Sequence, residues 1–290
     1  MALLRHAAAL ALCGCGLGGA AGGGTDHLPV SGVGPYVDPD GDPFVLADSA
    51  ADLLAPTAIA LPGGGFRIFY ARAGAIFRVD VADVGTPAGD PTSALAADRA
   101  WEGDAVGEPS VTTAPDGTLT MVYEAAGQVG AAHSVDGAAW TKDDAPLGAG
   151  RAPSGVYVDG ELVVYVDDGG AIRRLGGDVV LAPATDPMAF DAAAVGQPTA
   201  AFGTTVAGRR WVGLFYVGTN AAGRAQIGFA GSDDGATFER PPGGRPILVA
   251  ATGVNERSPA PVVLGDRAIL FYNRNKSGRW AIAAALSTTP

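Results

Sequence analysis

The chain has 290 residues, 48% of them hydrophobic, with 44 glycines and 21 prolines, which suffices for one large all-β domain or two ordinary ones. Its formal charge is −11 and it holds no basic run, which argues against nucleic acid as a partner. Glycine and proline recur every few residues and exclude long helices.

The N-terminus, "MALLRHAAALALCGCGLGGAAGGGTD", carries one arginine, a short apolar run from Ala7 to Leu12 and then small residues. It reads as a secretory signal, too short to span a bilayer as a helix. "LCGC" at 12–15 resembles a bacterial lipobox, with Leu12 at −3, Gly14 at −1 and Cys15 as the residue to be lipidated. The expected division is a signal over 1–14, a lipidated Cys15 with a Gly-rich tether over 15–34, and one folded unit over 35–290 in the cell envelope. Cleavage without lipid, leaving a soluble periplasmic or extracellular protein, is the alternative. Both cysteines lie in the leader, so the folded part has neither disulfide nor thiol chemistry.

Next comes "DPDGD" at 38–42, whose alternating carboxylates could take calcium. It lacks the glutamate that ends an EF-hand loop and is read as an acidic turn. "GDPFVLAD" at 41–48 has strand character.

From residue 55 onward five segments repeat one pattern: a proline, an apolar strand, a tight turn, and a strand ending in an apolar residue plus tyrosine. They are "APTAIALPGGGFRIFY" (55–70), "EPSVTTAPDGTLTMVY" (108–123), "APSGVYVDGELVVY" (152–165), "QPTAAFGTTVAGRRWVGLFY" (197–216) and "SPAPVVLGDRAILFY" (258–272). Their prolines are spaced by 53, 44, 45 and 61 residues. A third strand follows each tyrosine: 75–79, 129–134, 171–175, 226–232 and 280–286. In the second and fourth repeats this strand leads into "HSVDGAAW" and "GSDDGATF". Asp136-Gly137 and Asp234-Gly235 predict type I′ hairpin turns, with Trp140 and Phe238 packed beside them. Repeats of 40–60 residues built from meandering strands predict a β-propeller. The fold expected is therefore all-β, a five-bladed β-propeller with blades starting near 55, 108, 152, 197 and 258. The last unit has no room for a fourth strand, so the stretch near Phe44 is expected to close it and remove an open edge. A two-sheet sandwich is the competing architecture.

These "P…G…φY" units and the "IGFAGSDDGATF" hairpin resemble the five-bladed propeller superfamily of glycoside hydrolases that includes arabinanases, β-xylosidases, invertases and levansucrases, over roughly residues 35 to 286. The resemblance implies carboxylates on the innermost strands, pointing into the central channel. It puts the base before the first blade's proline, where Ala55 stands, and the acid two residues before the third blade's proline, where Arg151 stands. The set it implies is thus largely missing.

The acids that do stand by these prolines are Glu108 in the second blade and Glu256 in the fifth. A residue before proline is pushed toward extended geometry, which would fix each at the channel mouth. Glycoside cleavage needs two carboxyls across the bond, one protonated, and this pair is the candidate for it. Arg151 and Arg257 beside them are expected to hold both ionised. The ligand-binding set expected is Glu108, Arg151, Gln197, Glu256 and Arg257. His133, Asp143-Asp144 and Asp167-Asp168 read as packed, surface or turn residues. No metal site and no cofactor are expected. The reading is a monomeric envelope protein that binds carbohydrate or another small ligand in the channel and has lost hydrolase chemistry. A glycosidase using the displaced pair and a protein-interaction scaffold are the alternatives.

Overall fold

The computed structural model describes residues 34–39, 43–84, 86, 88–204, 210–249, 254–264 and 267–287. The expectations for the signal, for Cys15 and for the tether through residue 33 lie outside them, as do Asp40 and Asp42.

Strands β1 (Tyr36–Val37) and β2 (Phe44–Leu46) precede the first blade, which comprises β3 (Leu54–Ala60), β4 (Phe66–Arg72), β5 (Ala75–Val81) and β6 (Thr92–Leu95). The second blade comprises β7 (Gly107–Thr113), β8 (Leu119–Ala125), β9 (Gln128–Ser134), β10 (Thr141–Lys142) and β11 (Gly148–Ala149). The third holds β12 (Arg151–Val158), β13 (Glu161–Asp167), β14 (Ile172–Arg174) and β15 (Val179–Leu181). The fourth holds β16 (Ala194–Thr204), β17 (Arg210–Thr219) and β18 (Ala225–Ser232). After β19 (Leu248–Val249), the fifth is built on β20 (Glu256–Leu264), β21 (Arg267–Lys276) and β22 (Arg279–Ser287). The five sheets form an all-β, five-bladed propeller, which excludes the sandwich.

The N-terminal strand closes the last blade. β2 pairs antiparallel with β22, setting Phe44 opposite Ala283 and Leu46 opposite Ile282. β1 also pairs with β22 and runs parallel to β19, a contact the sequence did not suggest. The fifth blade's outer edge is thereby covered.

Each second strand is buried on both faces: Leu270, Phe271 and Tyr272 are all inaccessible, as are Met121, Val122 and Tyr123. That is why these strands read as unbroken apolar runs. The five repeat tyrosines are buried, and a buried hydroxyl needs a partner. Tyr123 donates to Glu102 at 2.6 Å, Tyr165 to the Gly235 carbonyl at 2.7 Å, Tyr216 to Asp191 at 2.8 Å and Tyr272 to Asp38 at 2.5 Å. Lys142, Arg240 and Arg274 in turn bind the three acids, at 2.7, 2.6 and 2.5 Å. Asp38 thus fastens the N-terminal segment to the fifth blade.

The paired Asp-Gly turns also differ from expectation. Gly137 and Gly235 have φ of 70° and 72°, whereas neither aspartate has positive φ, so these are not type I′ turns. Instead Ser134 and Ser232 accept from the glycine amides at 2.9 Å, and Asp136 and Asp234 accept from the amides of Ala138 and Ala236 at 2.8 Å. Trp140 and Phe238 then meet Phe69 and Tyr165 edge-on at 5.5 Å. Each turn therefore docks its blade onto the preceding one, which explains its use at equivalent places.

Candidate functional site

The five prolines have a common structural cause. In every blade the innermost strand carries one extra residue against its neighbour. In the second, Gly107 faces Glu124 and Ser110 faces Val122, three residues spanning the distance of two. The same shift lies between Leu54 and Thr57, Arg151 and Ser154, Gly196 and Thr199, and Arg257 and Ala260. Proline has no N–H to give a ladder and is at home in such a bulge. The residues before the prolines, Ala55, Glu108, Ala152, Gln197 and Ser258, have φ between 42° and 51°. This corrects the expectation of extended geometry there: the bulge turns the backbone into the left-handed region, at roughly 1–3 kcal/mol per residue.

Side chains from neighbouring blades hold this ring in place. Asn273 accepts from the Ala55 amide at 2.7 Å, Glu124 from Ala152 at 2.8 Å, Asp167 from Gln197 at 3.2 Å and Gln197 from Ser258 at 3.2 Å. One position after the prolines, Thr57, Ser110 and Ser154 accept from the amides of Val111, Gly155 and Ala200, while Thr199 donates to the Pro259 carbonyl. The corresponding residue of the fifth blade, Ala260, has no hydroxyl, and Asn273 instead bridges that seam to Leu53 and Ala55.

Above the ring opens a cavity of about 320 Å³, at the lower end of the roughly 300–1,000 Å³ usual for small-molecule sites. Glu108, Glu124, Asp167, Arg151, Gln197 and Arg257 line it, with Gly169, Gly170, Val217 and Thr219 among the rest. It adjoins a constriction of about 20 Å³ between the five prolines, space for no more than about one water. The channel is therefore a pocket with a floor.

Of the expected set, Glu108, Arg151, Gln197 and Arg257 thus share one wall system, and Glu256 does not. Glu256 is fully buried, sits opposite Arg274 in the fifth blade, and neither carboxyl oxygen has a hydrogen-bond partner among the described residues. Neighbouring residues of a strand point to opposite faces, so with Arg257 on the cavity Glu256 turns away from it. The displaced pair Glu108 and Glu256 is not assembled.

Glu108 departs from expectation too. It is half-buried, and burial together with the Glu124 carboxylate, with a smaller push from Asp167, raises it to about 7 against the opposing Arg151 and Arg257. The arginines do not keep it ionised, because desolvation outweighs them. Around neutrality it is therefore shared between its protonated and ionised forms.

Two cavity acids escaped the sequence reading. Glu124 follows the second repeat's tyrosine by one residue, and Asp167, read as a solvated turn residue, follows the third's by two. Strand pairing makes both equivalent to Asn273 of the fifth blade: Glu124 faces Gly107, Asp167 faces Arg151 and Asn273 faces Arg257, each two residues before its blade's proline. Asp167 spends both oxygens, on the amides of Gly169 at 2.8 Å and Gln197 at 3.2 Å. Glu124 spends one on Ala152, and its other lies 3.9 Å from Arg151. His133 stands outside the cavity, between Thr120 at 3.2 Å and Asp143 at 3.4 Å. Among the described residues no group of three or more acids, histidines or cysteines is arranged to hold a metal.

No family model and no curated protein matches the chain. Solved structures do. A Bacteroides ovatus protein described as a candidate glycoside hydrolase aligns with a TM-score of 0.64 at 14% identity, over 88% of this chain and 96% of its own. An α-L-arabinofuranosidase from Podospora anserina, solved with cellotriose, aligns at 0.62 and 13% identity over 88% and 96%. An endo-arabinase from Bacteroides thetaiotaomicron aligns at 0.61 and 13% over 85% and 98%. With these glycoside hydrolases the chain shares the five-bladed propeller fold.

Proposed function

We propose that the protein binds a carbohydrate in the cavity at the channel mouth and does not cleave it. The observation that carries this reading is the pocket of about 320 Å³ closed below by the proline ring, with charged and amide side chains from four blades turned into it. Polar groups converging in a preformed concavity suit a ligand rich in hydroxyls. The structural neighbour solved with cellotriose shows a sugar carried by this fold elsewhere.

Against hydrolysis stands the missing second carboxylate. Cleavage needs a proton donor and a free carboxylate on either side of the bond. Glu108 could supply the first. The resemblance would put the second at Ala55, Glu256 lies outside the pocket, and Glu124 and Asp167 are spent on the backbone of the next blade. The same reading sets the domain on the cell envelope through Cys15, on the strength of the lipobox-like leader alone.

Titration calorimetry with neutral and acidic mono- and oligosaccharides tests it. At least one sugar is expected to bind, and Glu108→Ala is expected to weaken that binding about tenfold, the upper end of one hydrogen bond's contribution, with the unfolding midpoint kept. A panel without a binder, or a binder indifferent to Glu108→Ala, would overturn the assignment of the pocket.

A further inference from the structure

Resting on that reading, we infer that the sugar bound in this cavity carries a carboxylate, a uronic acid residue held between Arg151 and Arg257.

The polar groups of the cavity differ in the hydrogen-bonding capacity they have left. The acceptors are largely committed: both oxygens of Asp167 take backbone amides, one oxygen of Glu124 takes the Ala152 amide, and the other faces Arg151. The Gln197 carbonyl oxygen takes the Ser258 amide. The donors are not. Arg151 keeps a side chain three-quarters exposed, and its one ion pair among the described residues is to Glu124 at 3.9 Å. Arg257, exposed at the rim, holds its guanidinium carbon over the Trp280 ring, 5.0 Å from the centroid. A guanidinium packed on an aromatic ring spends no N–H on that contact, which leaves the fork able to take a carboxylate side by side. The cavity therefore offers cationic donors in excess of free acceptors, the complement of an anionic, acceptor-rich group.

The acids do not defeat such a ligand. Once Glu108 is protonated, Glu124 and Asp167 balance Arg151 and Arg257, and the charges of these lining residues sum to zero. A carboxylate entering beside Glu108 favours the protonated form. Binding near neutral pH then takes up a proton at Glu108, in a setting where Glu124, Asp167, Arg151 and Arg257 are the charged groups acting on it.

Matched pairs test this by calorimetry on the folded protein: galacturonate oligomers against galactose oligomers, glucuronate-bearing against glucose oligomers, and the 6-phosphates of the same sugars. The uronate member of at least one pair is expected to bind tenfold or more tightly than both its neutral and its phosphorylated counterparts. Arg151→Gln is expected to erase that preference while keeping the unfolding midpoint, since its side chain is mostly exposed. Repeating the titration at pH 7 in buffers of different ionisation enthalpy is expected to reveal proton uptake, absent in Glu108→Gln. If neutral sugars bind as well as uronates, or if the preference survives Arg151→Gln, the carboxylate inference fails and the carbohydrate reading stands. Tighter binding of the phosphates overturns the carboxylate in particular. If nothing in any pair binds, both fail.

Discussion

Replacing Lys142 by methionine is expected to destabilise the fold by about 3–5 kcal/mol, the usual cost of leaving one buried charge without its partner. The Lys142 side chain is 3% exposed and Glu102 not at all. The ammonium meets both Glu102 oxygens at 2.7 and 2.8 Å, the Ala96 carbonyl at 2.6 Å and Asp98 at 3.1 Å. Burial alone would raise Glu102, but Lys142, Tyr123 and the amides of Asp98 and Arg99 bring it down to about 2. Methionine keeps most of the volume and removes the cation, so Glu102 stays buried with too few donors. Urea unfolding reads the loss. Adding Glu102→Gln should recover most of it, because a neutral buried group no longer lacks a counter-charge. A loss under about 1 kcal/mol in the single variant would mean that the pair is far less buried than described.

Glu256→Gln is expected to act in the opposite direction and only at higher pH. Burial raises Glu256 from 4.5 to about 7; Arg274 and Arg224 oppose this and Asp38 adds to it. A carboxyl raised in the folded state holds a proton that the unfolded chain has already lost. Stability is therefore full below about 4.5 and falls as the pH climbs to about 7, by about 3 kcal/mol in all. Glutamine has nearly the same shape and no proton to lose. At pH 5 the two proteins should unfold alike, and at pH 8 the variant should be the more stable by about 3 kcal/mol. Glu108, raised to about 7 as well, contributes a slope of the same sign to both proteins and cancels in the comparison. Identical urea midpoints for the two proteins at pH 5 and pH 8 would show that Glu256 titrates in the ordinary range.

The fold was legible because each blade repeats a demand that few residues meet. The second strand is covered on both faces and reads as an apolar run, and its tyrosine pairs a buried ring with a hydroxyl that reaches a partner. Gly130 shows the same constraint from the other side: a Cβ there would stand 2.3 Å from the Tyr123 ring. The closing strand was legible from Phe44 to Leu46, whereas β1 and β19, two residues each, are too short to carry a period. The site was only half legible. The prolines marked the innermost strands, yet nothing local announces that the preceding residue adopts positive φ, since a bulge is a property of two paired strands. Glu124 and Asp167 follow their tyrosines at different offsets, so they align only once the strands are paired. Glu256 and Arg257 were read together, although adjacent residues of a strand face opposite ways.

The central claim is that the channel pocket holds a sugar and leaves it whole. Its most direct test is to incubate an oligosaccharide that binds with excess protein between pH 5 and pH 8 and to follow the products by chromatography. The account predicts an unchanged saccharide, indistinguishable from the buffer control at every pH. Release of a shorter sugar by the unaltered protein, lost in Glu108→Gln, would contradict it and make Glu108 the proton donor of a hydrolase.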